Sequence, residues 1–268
     1  MKTKSKVGKV IRVILLTLLC LILLLAGFLF YHGTKNNRIM YETIGSGLEA
    51  VERSYTVTQR DAGEYTDMRI YGFMKFHVDQ YDVEGLGNLS VMRANMGFMQ
   101  MFSFMITPFE KNVPLCTLDY MYIAGTRKSY VEFYDLAGET ESAEYAQIIA
   151  MLRKMTERYS DIEELPASSN WYDDLLSVVM HKKLTNKEEQ RNKEMFLDAL
   201  TTYLDYSGID QEFTQELAAK QAENTRRYSD GLIEKGGVST DVFKKALGEE
   251  TTRDFFDKVF FGTALYQK

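Results

Sequence analysis

The sequence has few of the residues on which several classes of protein depend. It contains two cysteines, three prolines and three histidines among 268 residues. Two cysteines cannot build a disulfide framework, and no cysteines and histidines stand at zinc-binding spacing. No glycine-rich phosphate loop precedes a helix, and no Gly-x-Ser-x-Gly motif occurs. These absences disfavour a disulfide scaffold, a zinc site, a phosphate-loop enzyme and a serine hydrolase.

The N-terminal region contains the one long apolar run. Val13 to Tyr31 is almost uninterrupted, and as a helix it has about the thickness of the hydrocarbon core of a bilayer. Lys35 and Arg38 follow it, whereas five basic residues precede it: Lys2, Lys4, Lys6, Lys9 and Arg12. This asymmetry predicts a basic cytoplasmic tail (1–12), a signal anchor (13–31) that crosses the cell membrane once, and an extracytoplasmic C-terminal domain.

The rest of the chain is acidic and of ordinary globular composition. Without the five basic residues of the first 12, there are 27 basic and 38 acidic residues. An acidic body argues against nucleic acid as a partner, because phosphate binding needs a dense basic face. It also lacks a general attraction for anionic lipid, so we expect the anchor alone to hold the protein at the lipid bilayer.

The order of the elements predicts the fold class. Residues 32–66 are expected to be a juxtamembrane helix, near 36–54, and a connector, and residues 67–268 one domain. Alternating apolar and polar residues predict five strands, at 67–79, 86–93, 98–107, 115–124 and 127–136. Helical spacing predicts helices at 142–158, 171–180, 186–206, 211–229, 238–247 and 251–261. The prediction is an α+β fold, with a central antiparallel β-sheet sandwiched between helical layers and one transmembrane helix before it.

Asp119 is the most distinctive single residue. It lies in the middle of the most apolar predicted strand, where desolvation would raise its pKa and suit it to donate protons. An aspartate that faces solvent, or pairs with a neighbouring cation, would fit the same pattern. Six of the 14 methionines lie between Met92 and Met121, counting both ends. Such a face could hold a flat hydrophobic ligand or simply fill the core.

Other polar residues are weaker candidates. His77 and Asp79 share a strand face and could relay protons, although such a face is also typical of the wet side of a sheet. Arg127 and Arg227 are candidates for substrate binding. Arg227, next to Arg226, could clamp a carboxylate of a substrate or belong to a solvated basic face.

Two stretches of the chain resemble the ferredoxin-dependent bilin reductases. The first runs from Ile106 to Asp119, through a loop between two prolines, and is followed by a hairpin that ends at Leu136. The second includes Arg226-Arg227-Tyr228, then Gly248-Glu249-Glu250 and a short aromatic segment that ends at Phe261. The resemblance covers about residues 67 to 261, and the fold of this family agrees with the one predicted above.

The resemblance implies a function and a set of site residues. The family reduces linear tetrapyrroles (bilins) by coupled electron and proton transfer, with no bound metal or flavin and with an external electron donor such as ferredoxin. Its principal proton-donating aspartate falls on Asp119. Its second strand residue falls near Ser103 or Phe102, in the methionine-rich strand that also contains Met105. Asp205 is the nearest match to a further aspartate on a C-terminal helix.

The sequence leaves three functions open. The first is a membrane-anchored oxidoreductase that reduces a linear tetrapyrrole, with Asp119 as the proton donor. The second is a non-catalytic module that is anchored outside the cytoplasm and binds a tetrapyrrole or another flat hydrophobic ligand. The third is a structural envelope protein without a ligand.

Overall fold

The chain folds as one antiparallel sheet with helices on both faces, which confirms the predicted α+β class. The computed structural model describes residues 2–167, 169–208, 213–237 and 239–266. The strands within these residues are β1 (Val57–Arg60), β2 (Asp67–Ile70), β3 (Met74–Val83), β4 (Gly87–Asn95), β5 (Met99–Pro108), β6 (Leu115–Ile123), β7 (Thr126–Tyr134) and β8 (Leu176–Thr185). The α-helices there are α1 (Lys2–Ser54), α2 (Ala143–Glu157), α3 (Glu189–Ser207), α4 (Gln215–Lys235), α5 (Thr240–Leu247) and α6 (Glu249–Phe255).

The strands follow each other across the sheet in the order β1-β3-β4-β5-β6-β7-β8, and β2 pairs with the first half of β3. From β3 to β7 each strand pairs with the next in sequence, as the short predicted connections require. The register places Ser103 opposite Asp119, Asp119 opposite Tyr130, and Tyr130 opposite His181. These four residues therefore form one row across β5, β6, β7 and β8.

Alternation along the strands creates two separate cores. On one face Phe102, Tyr120 and Phe133 are buried under α1, α2 and α3. On the other face Met92, Met105 and Tyr134 are buried under α4, α5, α6 and the π-helical turn that follows α6. Strands that are apolar on both faces need cover on both. Helices α1, α2 and α3 supply it on one face, and α4, α5 and α6 supply it on the other.

Helix α1 joins the apolar run to the domain without a break. Its apolar N-terminal part is exposed, and it is the one helix in the described part of the chain that is long and apolar enough to cross a membrane. Its C-terminal part packs against the sheet through buried Met40, Ile44 and Val51, and β1 pairs with β3. Residues from about 36 onwards therefore contribute to the core and to the sheet, N-terminal to the predicted division at residue 67.

Two other sequence-based assignments were wrong. The single strand predicted at 67–79 is a hairpin, because Tyr71 (φ 51°) and Gly72 (φ 76°) form a turn between β2 and β3. The helix predicted at 171–180 is a 3-10 turn followed by strand β8, which extends the sheet beyond β7. Pairing with the edge of β7 outweighs the weak helical spacing of this segment.

The remaining helices lie close to their predicted positions. Helix α2 begins at the side chain of Ser142, which accepts a hydrogen bond from the Tyr145 amide, and α4 begins likewise at Thr214. The first residues of two predicted helices, Gln211 and Val238, lie outside the described residues.

We expect Gly47→Ala to destabilise the fold by about 1–3 kcal/mol. A β-carbon at Gly47 would lie 2.8 Å from the Phe196 ring and 3.1 Å from Phe104, where α1 crosses the sheet. Gly45 is the matched control, because a β-carbon there meets nothing within 4 Å and alanine favours the helix. Gly45→Ala should not lower the urea midpoint of the chain in detergent. Equal midpoints for the two variants would contradict this packing of α1.

Candidate active site

A cavity of about 300 Å³ lies between the sheet and the C-terminal helices. Its floor is the face of β4 to β8 on which the row of four residues lies, and α4, α5, α6 and the π-helical turn cover it. The floor residues are Met92, Met101, Ser103, Met105, Thr117, Asp119, Met121, Tyr130, Glu132, Tyr134 and His181. Apolar and aromatic walls with a few convergent polar groups are typical of a site for a small organic ligand.

Asp119 lies in the middle of this floor. Burial raises the pKa of its carboxyl group to about 7, and the nearby Glu132 acts in the same direction. A hydrogen bond with Ser103 and the proximity of His181 partly offset that rise. Because its pKa lies near neutrality, the carboxyl group holds a proton in a large fraction of molecules at pH 7 and can release it into the cavity.

A second polar group lies beside Asp119 on the same floor. The carboxyl group of Glu132 contacts two side chains. Its Oε1 lies 2.7 Å from His181 Nε2, and its Oε2 accepts a hydrogen bond of 2.5 Å from the Tyr134 hydroxyl. The ring of Tyr134 in turn packs against that of Tyr228 of α4, with their centroids 4.9 Å apart. Burial raises the pKa of both tyrosines well above the ordinary value, so both remain protonated. The network fixes His181 at the edge of the cavity.

Methionine and phenylalanine provide most of the apolar lining. The thioethers of Met101, Met105 and Met121 lie on the floor, and Phe243 and Phe256 lie opposite. Flexible thioether side chains adapt their packing to the shape of a ligand. The methionine-rich face predicted from the sequence is therefore part of the cavity floor as well as part of the core.

The cavity brings together three of the predicted site residues, Asp119, Ser103 and Met105. His77 lies on the opposite face of the sheet, where its ring nitrogens contact Asp67 and Asp79 at 2.8 and 3.2 Å. Asp205 is exposed on α3, which covers that opposite face. Neither residue is positioned to reach a ligand in the cavity, because the sheet separates them from it.

The two predicted arginines also lie away from the cavity. Arg127 is fully buried under α1 and α3, where its Nε donates to Glu189 at 2.7 Å and its Nη2 donates to Asn36 at 2.9 Å. The alternation of β7 directs it to the face opposite Tyr130. Arg227 is exposed on α4, beside the buried Tyr228. The prediction that these arginines bind substrate does not agree with their positions.

Glu132, Tyr134 and His181 are residues that sequence reasoning missed. Tyr130, Glu132 and Tyr134 alternate along one strand, which is a visible signal, but only the pairing of β6 with β7 brings them to Asp119. The sequence predicts a helix that ends just before His181, whereas the structure has strand β8 there. Within the described ranges, no group of three or more His, Cys, Asp or Glu side chains is arranged to hold a metal ion.

Comparison with known proteins identifies the fold. No family model and no curated protein matches the chain. Among solved structures, phytochromobilin synthase from tomato, in complex with biliverdin, matches with a TM-score of 0.69, over 85% of each chain, at 14% sequence identity. The chain therefore shares the fold of this biliverdin-binding protein, as the resemblance to bilin reductases led us to expect.

Proposed function

We propose that this protein is a membrane-anchored reductase of a linear tetrapyrrole, with Asp119 as the proton donor. The observation that carries the proposal is a carboxyl group with a pKa of about 7 on the floor of an apolar cavity. The shared fold supports it, because the tomato protein was crystallised with biliverdin. The sequence resemblance to bilin reductases, which aligned their aspartate with Asp119, agrees with this placement.

The reaction adds two electrons and two protons to one double bond of the pigment. The electrons come from an external one-electron donor of the ferredoxin type. Asp119 transfers its proton to the pigment as the pigment accepts an electron, and the carboxylate left behind is protonated again from solvent. His181 supplies the second proton, because its imidazole lies on the same cavity floor and an imidazole can accept and donate a proton.

The apolar lining holds the pigment by its ring faces. Aromatic and methionine side chains on both sides of the cavity can pack against a flat conjugated ligand. A volume of about 300 Å³ lies at the low end of ligand pockets. We therefore propose that the cavity encloses the reacting part of the pigment and that the polar substituents extend into solvent.

We further propose that residues 13–31 anchor the chain in the cell membrane. The apolar part of α1 is exposed, so packing against the domain does not explain why this segment is apolar. The excess of basic residues before the span favours a cytoplasmic N-terminus and a domain on the opposite side.

The direct test is to add biliverdin to the full-length chain in detergent micelles and then to supply reduced ferredoxin without oxygen. We expect binding to change the pigment spectrum and reduction to produce a new, separable bilin. The matched control omits ferredoxin and should show binding only. No spectral change on adding biliverdin would contradict the proposal.

The orientation of the anchor favours a second candidate function. Five basic residues before the span and two after it predict an extracytoplasmic domain, where a ferredoxin is not expected. On that side the same cavity would bind a tetrapyrrole or another flat hydrophobic ligand without reducing it. Binding of biliverdin without a reduced product, at any supply of donor, would favour this candidate over the reductase.

A further inference from the structure

The end of the sheet next to the membrane anchor exposes large apolar side chains. The β2–β3 turn contains Tyr71 and Phe73, which are 53% and 64% exposed, and the β4–β5 turn contains Phe98, which is 51% exposed. Elsewhere on the domain, the described residues expose few apolar side chains as large as these. Exposed aromatic residues at the tips of two neighbouring hairpins are unusual for a surface that faces only water.

The β4–β5 turn lies directly against α1 where the apolar span ends. A groove between them is lined by Leu29, Phe30 and Gly33 of the helix and by Met96 and Phe98 of the turn. The contact is close, because a β-carbon on Gly33 would lie 2.6 Å from the carbonyl oxygen of Gly97. A hydrogen bond of 3.3 Å from Asn95 to Asn37 fixes the next helical turn.

These contacts set the height of the turn relative to the bilayer. Gly33 lies only about 3 Å along the helix beyond Tyr31, the last residue of the predicted span. The groove also reaches back to Leu29, which lies inside that span. Once the anchor is inserted, the β4–β5 turn is therefore at the level of the lipid headgroups, where aromatic side chains are favoured.

The charges near the two turns suit a lipid surface. The body of the protein is acidic, yet neither 68–76 nor 93–101 contains an acidic residue. Arg69 and Lys75 face each other across the β2–β3 pair behind the turn, and both are exposed. Basic side chains near an anionic lipid surface are attracted to it.

We propose that this end of the domain docks on the bilayer, with Phe73 and Phe98 inserted among the lipid headgroups. The inference rests on the proposed anchor and adds a second attachment to it. Half-buried Met99, Met101 and Met121 lead from the docked turn to the cavity floor beside Asp119. Docking therefore places the apolar approach to the cavity next to the membrane surface.

The test uses the full-length chain reconstituted into vesicles of phosphatidylcholine and phosphatidylglycerol. Phe98→Trp introduces a reporter, and bromine atoms on the lipid acyl chains quench a tryptophan that inserts among them. We expect the added emission to fall about two-fold in brominated vesicles. Phe73→Trp, in the other turn, should behave alike and gives a second reading if one substitution perturbs the fold.

Val179→Trp is the matched control. Val179 is 43% exposed, close to Phe98 in exposure, but it lies on β8 opposite Glu132, well away from the turns. Its emission, and that of the native Trp171, should be the same in both kinds of vesicle. A chain that floats with the vesicles but shows unquenched reporters in both turns would overturn docking alone. A chain that does not float with them would overturn docking and the anchor together, and neither result bears on reductase activity.

Discussion

Asp119→Asn is expected to slow the reduction of bound biliverdin by at least about 100-fold, which is the lower range of what a positioned general acid contributes. Asparagine preserves the size of the side chain and can still hydrogen-bond Ser103, but it has no proton to donate to the pigment. Biliverdin should therefore still bind and give the same initial spectral change. The measurement is the rate of pigment reduction in a single turnover, with reduced ferredoxin in excess.

The matched control for this prediction is Asp205→Asn. Asp205 undergoes the same chemical change on exposed α3, on the far side of the sheet, so its rate should stay within about two-fold of the native rate. A normal rate in Asp119→Asn would contradict the role of Asp119. Equal losses in the two variants would show that neither loss reports on the cavity.

The same carboxyl group predicts the pH dependence of the native rate. Its pKa is raised to about 7, and only the protonated form donates. The rate should be highest below pH 7 and should fall as the pH rises through 7 and the proton is lost. The residual rate of Asp119→Asn should lack this step. A native rate that falls near pH 4 instead would place the proton on a carboxyl group of ordinary pKa.

Arg127→Met is expected to lower the free energy of unfolding by about 3–5 kcal/mol, because it breaks a buried ion pair. Arg127 has no exposed surface and contacts Glu189, Asn36 and two backbone carbonyl groups. Without the guanidinium group, the charge of Glu189 remains partly buried without its partner. Urea unfolding of the full-length chain in detergent, followed by fluorescence of its single tryptophan, measures the effect.

Two further variants separate this structural role from substrate binding. Arg227→Met removes an exposed arginine and should change stability by less than about 0.5 kcal/mol. Combining Arg127→Met with Glu189→Met removes both charges and should recover part of the lost stability. If Arg127→Met instead weakened biliverdin binding and left the urea midpoint unchanged, the arginine would belong to a ligand site, contrary to its position under α1.

The sequence predicted the sheet well where strands are long and joined by tight turns. From β4 to β7 the alternation located each strand to within two residues, because burial of both faces leaves a strong pattern in the chain. It failed at Tyr71, where a non-glycine residue adopts a positive φ and turns the chain back. It also failed at β8, whose strand conformation depends on pairing with β7. That pairing joins residues about 50 positions apart in the sequence.

The candidate site was predictable only in part for the same reason. A carboxylate in the middle of an apolar strand is visible in the sequence, and Asp119 was found from it. Glu132 and His181 join Asp119 only through the register of β6, β7 and β8, which local spacing does not contain. Arg127 has the side-chain chemistry to bind a carboxylate of a ligand. The alternation of β7, however, places it on the sheet face opposite Tyr130, toward α3.

Infrared difference spectroscopy of the native chain against Asp119→Asn, titrated from acid to alkaline pH, measures the proton on Asp119 directly. We predict a protonated carboxyl band in the native chain that is absent from the variant and disappears with a midpoint near pH 7. Biliverdin bound in the cavity should change the frequency of that band. A band that has already disappeared by pH 5, or that does not respond to the pigment, would contradict the assignment of Asp119 as the proton donor.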